Sequence, residues 1–158
     1  MKAYPLVLCS VVLQMSGAGL HAGETQDRIE RRILAGPGAT LTIVNTVGDI
    51  RVETWDEDVV QITAVKTLKD KVSNPAEALK QIEVEFKSGP TWINLRTVSR
   101  RRLKYELDYD LKVPKIIDLD VETDVGRIHI ERVTGVVKAK TGIGKIRLDG
   151  VNGAIDAV

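Results

Sequence analysis

One stretch of this chain repeats itself at a fixed offset of 18 residues, and that offset constrains the fold more than any other feature. Val125-Gly126-Arg127-Ile128-His129-Ile130-Glu131 aligns with Ile143-Gly144-Lys145-Ile146-Arg147-Leu148-Asp149. Gly135 meets Gly153, Thr123 meets Thr141, Val133 meets Val151 and Val137 meets Ile155. A more distant copy opens the domain at Val47-Gly48-Asp49-Ile50-Arg51-Val52-Glu53, followed by Trp55. A unit of two short alternating strands with glycine corners cannot bury its apolar face alone, so each unit has to pack on another. The expectation is an all-β, right-handed parallel β-helix (β-solenoid) with coils of about 18 residues and one short helix. In it Gly48, Gly126, Gly135, Gly144 and Gly153 are corners, and Ile128 and Ile146 are stacked core residues. An antiparallel β-sandwich of glycine-turn hairpins and a small up-and-down barrel are the competing architectures.

The rest of the chain reads as strands too. Residues 103–113 alternate six apolar positions with five charged ones, a period of two that scatters on a helix and sorts cleanly on a strand. Pro114 limits that strand, and alternation resumes at Ile116. Earlier strands are expected at 41–44, 49–54, 59–66, 82–86 and 91–98, separated by turn chemistry such as Ser88-Gly89-Pro90. The one helix is expected at 75–81, with Asn74 as cap, Pro75 at the first position and Glu77 placed for a capping box.

Residues 1–22 differ in kind. Lys2 precedes a mainly apolar stretch, the small residues Ser16-Gly17-Ala18-Gly19 and then Leu20-His21-Ala22, the pattern of a secretory signal peptide cut after Ala22. A cut after Ala18 is the rival and an uncleaved membrane anchor the competing reading; the apolar run is nearer signal-peptide than spanning length. Residues 23–40 read as a flexible or edge segment and 41–158 as the β-solenoid domain, with Val158 falling inside a repeat, so that further coils or a partner are expected at that open end. Lys2 is the one formal charge in the leader; its loss leaves 22 basic against 22 acidic residues and no cysteine. Neutrality gives no bulk attraction to nucleic acid. A thiol-free chain suits an oxidising compartment, whether periplasm, cell surface or medium.

Several of these residues carry a resemblance. Asn45-Thr46-Val47-Gly48-Asp49-Ile50-Arg51-Val52, Trp55, Tyr109-Asp110-Leu111-Lys112-Val113-Pro114 and the Thr-x-x-Gly-x-Ile units at Thr123 and Thr141 resemble the bacterial "putative adhesin" family known as domain of unknown function 4097. The resemblance runs from about Leu41 to the C-terminus. It implies an exported, cell-envelope β-helix without established catalytic residues.

Catalytic chemistry finds little material. Beyond the leader there is one histidine, His129, and no cysteine, so a cysteine nucleophile is excluded and a histidine-based zinc site lacks partners. Thr141-Gly142-Ile143-Gly144-Lys145 lacks the spacing and the hydroxyl residue of a phosphate loop. Glu131 and Asp149 should lie on adjacent strands about 4.8 Å apart, a pairing that can bind Ca²⁺ or work on a polysaccharide, although His129 and Arg147 in the next column can neutralise them. Arg100, Arg101 and Arg102 form the one basic concentration, suited to anionic lipid headgroups or acidic glycans, and Trp55 can stack on a sugar. The sequence therefore reads as a non-catalytic structural or adhesin-like interaction module, with no cofactor and no metal. Its partner is an envelope component, glycan or protein, and membrane association stays open. A polysaccharide-active enzyme using the surface carboxylates is the alternative.

Overall fold

The computed structural model describes residues 25–158; the proposed signal peptide and its cleavage point lie outside them. Twelve strands and one helix are present among the described residues: β1 (Gln26–Leu34), β2 (Thr40–Val47), β3 (Ile50–Trp55), β4 (Val59–Leu68), α1 (Pro75–Lys80), β5 (Ile82–Ser88), β6 (Trp92–Ser99), β7 (Tyr105–Pro114), β8 (Asp118–Val125), β9 (Ile128–Glu131), β10 (Val137–Ile143), β11 (Ile146–Asp149) and β12 (Ile155–Ala157). Alternation sets which face each strand buries. On β7, Leu107, Tyr109, Leu111 and Val113 are buried while Asp110 and Lys112 face water. Each fully buried aliphatic side chain contributes about 1.5–3 kcal/mol, set against the entropy of ordering the chain.

The strands form two six-stranded sheets, one in the order β1-β4-β7-β3-β9-β11 and the other β12-β10-β8-β2-β6-β5. Their apolar faces meet in one core, with Ile50, Ile62, Leu111 and Ile130 from the first sheet and Leu41, Leu95, Leu119 and Val137 from the second all buried. This is a β-sandwich with mixed sheets and corrects the expected right-handed parallel β-helix. Only part of the molecule obeys the 18-residue offset: Ile128 pairs with Ile146 and Leu119 with Val137, in parallel register. Elsewhere the pairing breaks any solenoid path. β4 runs antiparallel to both β1 and β7, and β5 runs antiparallel to β6. The 18-residue offset does not extend to these strands, whose partners are set by the whole core. Of these antiparallel pairs only β5 and β6 are joined by a tight turn, which makes them a hairpin, while β4 pairs antiparallel with strands distant in sequence. The sandwich differs equally from a purely antiparallel one, because β2 lies parallel between β6 and β8, and β3 parallel between β7 and β9.

Residues 26–34 form β1, the edge strand beside β4. Helix α1 begins as the caps dictate, with the Glu77 amide donating to Asn74 Oδ1 at 3.2 Å, and it buries Ala78 and Leu79. Near it Lys66 points inward, where its ammonium pairs with Asp27 at 2.8 Å. A polar chain crosses the core. Thr97 Oγ1 donates to Asn45 Oδ1 at 2.9 Å, so its contact with the Tyr109 hydroxyl, also 2.9 Å, is donated by the tyrosine, and Asn45 Nδ2 donates to the Leu107 carbonyl. Burial pushes the Tyr109 phenol up to about 12.

Candidate functional site

The chemistry-bearing surface lies on the outer face of the first sheet, at β9 and β11. Ile128 and Ile130 turn inward, so His129 and Glu131 must project outward from β9. Parallel register then sets Arg147 beside His129 and Asp149 beside Glu131 on β11. His129 Nε2 lies 2.9 Å from Asp149 Oδ2 and 3.2 Å from Glu131 Oε1. A carboxylate oxygen only accepts, so the hydrogen bond to Asp149 places a proton on Nε2, with the Glu131 oxygen close beside it. Arg147 Nε donates to the same Asp149 oxygen at 2.7 Å. The hydrogen bond from His129, then that from Arg147, holds the Asp149 carboxyl below the usual carboxylate range. The imidazole is only 23% exposed.

A second cluster sits at the corner below. Asp49 Oδ1 accepts from the Arg127 amide at 2.8 Å, and Oδ2 accepts from the guanidinium at 3.0 and 2.7 Å. Burial alone would raise the Asp49 carboxyl, but these bonds outweigh it and leave it lowered. The Asp49 amide donates to Asp108 Oδ1 at 2.8 Å. Asp108 itself is pushed up, chiefly by burial, with Glu106 and Asp49 adding to the shift. The glycines before Asp49 and Arg127 explain the closeness. A Cβ on Gly126 would fall inside contact distance of the Gly48 carbonyl oxygen, and one on Gly144 would meet that of Gly126.

The other residues singled out in the sequence are dispersed. Arg100 pairs with Glu83 at 3.0 Å on β5, whose sheet has β12 as its opposite edge, while Arg101 and Arg102 are exposed in the loop before β7. Trp55 closes the turn between β3 and β4, with Nε1 donating to the Val59 carbonyl at 2.7 Å and with Arg32 and Lys112 over its ring at 5.3 and 5.9 Å. The two acids therefore come together, but the basic loop and the tryptophan do not join them. Sequence reasoning missed the central place of His129. The cue was available: its position two residues before Glu131 shares that face, and the 18-residue offset adds Asp149. It also missed the Asp49–Arg127 pair, whose members each follow an aligned glycine.

A shallow depression of about 100 Å³, lined by Glu85, Lys87, Asn94 and Arg96, marks the outer face of the other sheet. No helix among the described residues is long and apolar enough to cross a membrane.

Fold and surface together define a mixed two-sheet β-sandwich with ion-paired outer faces. No family model matches the chain, and no curated protein matches it. Solved structures do. A "putative adhesin" of Bacteroides fragilis is 17% identical with a TM-score of 0.45, over 83% of this chain and 61% of the other. A "putative cell adhesion protein" of Clostridium sporogenes is 10% identical with a TM-score of 0.39, over 83% and 98%. A "putative lipid binding protein" of Parabacteroides distasonis is 8% identical with a TM-score of 0.42, over 87% and 61%. The chain thus spans about 61% of the length of the first and third of these proteins.

Proposed function

We propose that this chain is a non-catalytic interaction module of the bacterial cell envelope, exported by its leader and presenting flat, charged sheet faces to a partner. One observation carries the reading: the acid pair that a polysaccharide-cleaving site would need is occupied by its own neighbours. Glycoside hydrolysis needs two carboxyl groups flanking a sugar or a water, about 5–10 Å apart. Here the imidazole of His129 stands between Glu131 and Asp149, and Arg147 claims the latter. Arg101 and Arg102, exposed beside the ion-paired Arg100, are the groups assigned to an anionic envelope glycan, and Trp55 is a minor contact in its turn.

The test is binding of the purified chain to immobilised acidic and neutral polysaccharides, with released reducing ends followed in parallel. Retention on the acidic polymer, lost on Arg101→Ala with Arg102→Ala and without product release, supports the reading. Product release that disappears in Glu131→Gln or Asp149→Asn overturns it in favour of an enzyme.

A further inference from the structure

We propose that His129, Glu131 and Asp149 form a binding site for a divalent transition metal, with Zn²⁺ as the reference ion. Each of the three side chains offers one donor atom, and these atoms all lie within 4.8 Å of one another. A tetrahedral Zn²⁺ with bonds of about 2.0–2.1 Å holds its ligand atoms about 3.3 Å apart. The imidazole nitrogen already lies 2.9 and 3.2 Å from the two carboxylate oxygens, so two of the three edges are nearly met. The Nε2–H of His129, bonded to Asp149, now points into that space. A dication there takes the Nε2 lone pair, with the ring proton held on Nδ1, and faces two carboxylates and the Arg147 guanidinium on Asp149, a net charge of −1 that the ion overcompensates.

The frame is stiff where it needs to be. β9 is paired on both sides, to β3 and to β11, and β11 brings Asp149 into register with Glu131. Arg147 sits on the same Asp149 oxygen as His129 and fixes the carboxylate from the second lone pair, the orienting role that outer partners play around metal ligands. Water completes the fourth position, since Glu131 and Asp149 are 29% and 46% exposed. One imidazole with two carboxylates selects Zn²⁺, Ni²⁺ or Cu²⁺ over Ca²⁺, which takes six to eight oxygen ligands.

The test is calorimetric titration of the tag-free chain with Zn²⁺ and, separately, Ca²⁺, together with the His129 ring resonances. Saturable 1:1 uptake of Zn²⁺, a shift of the His129 ring and no heat with Ca²⁺ are expected. His129→Gln and Asp149→Asn should each weaken Zn²⁺ at least about tenfold. Both side chains lie on the outer surface, and an unchanged circular dichroism spectrum verifies the variants' fold. The site is refuted by absent uptake, by uptake that persists in His129→Gln, or by equal affinity for Ca²⁺. None of those results touches polysaccharide retention, which is read on a different surface.

Discussion

Gly126 shows what a single residue can hold. Its φ is +149°, and a Cβ there meets the carbonyl of Gly48 in the corner between β2 and β3. Gly126→Ala is expected to cost about 3 kcal/mol or more, because backbone strain and a clash with main chain add together. Gly38→Ala is the control: its φ is +71° but nothing lies within 4 Å, so about 1–2 kcal/mol is expected, both read from urea unfolding midpoints. Tyr109 sets a second residue-scale outcome. A phenol raised to about 12 favours the folded state fully below pH 10, its unfolded value, and loses that advantage as pH climbs toward 12. Stability should therefore fall by about 2–3 kcal/mol over that window, and Tyr109→Phe should flatten the fall seen in alkaline unfolding curves. Asp49 and Asp108 should behave oppositely. Asp49 is lowered, so its contribution is present above the ordinary carboxylate value and is lost as pH drops through the folded one. Asp108 is raised, so its ionised form is penalised, and Asp108→Asn should raise the midpoint at pH 7 where Asp49→Asn lowers it.

Among the elements, β9 and β12 bracket the range of packing. Ile128 on β9 is fully buried, whereas Ile155 on the edge strand β12 is 50% exposed. Ile128→Ala is expected to cost about 2–5 kcal/mol and Ile155→Ala under about 1 kcal/mol, measured by the same unfolding curves. The strands themselves were legible from alternation, as was α1 from Asn74 and Pro75. The neighbours of β8 through β12 were legible from the 18-residue offset, which fixes register wherever it holds. What the sequence could not reveal is who lies beside β2, β3 and β4. Their partners are tens of residues away, and nothing local in Ile62 or Leu111 states that the two face each other antiparallel. The site was half legible for the same reason. Glu131 and Asp149 followed from the offset, while the reach of the His129 ring to both oxygens depends on rotamers that only packing decides.

At the scale of the whole molecule, one end carries β1 and β5 as sheet edges and the other carries β11 and β12. At the first end Arg31 of β1 lies over the Phe86 ring of β5, 4.5 Å from its centroid, which brings the two edges together. At the second, Ile143 is 71% exposed close to edge strands whose outer backbone groups lack strand partners among the described residues. Such an edge is a template for another strand. Ile143→Lys should lower concentration-dependent association, seen as a reduced weight-average mass in sedimentation equilibrium.

The placement of β2 and β3 also governs timing. Each lies between two strands made later in the chain, β6 and β8 for one, β7 and β9 for the other. Neither can finish its ladder until residues near 130 have been synthesised, which makes assembly slow and dependent on distant encounters. A nascent chain must therefore keep its first third unsettled until the last third arrives.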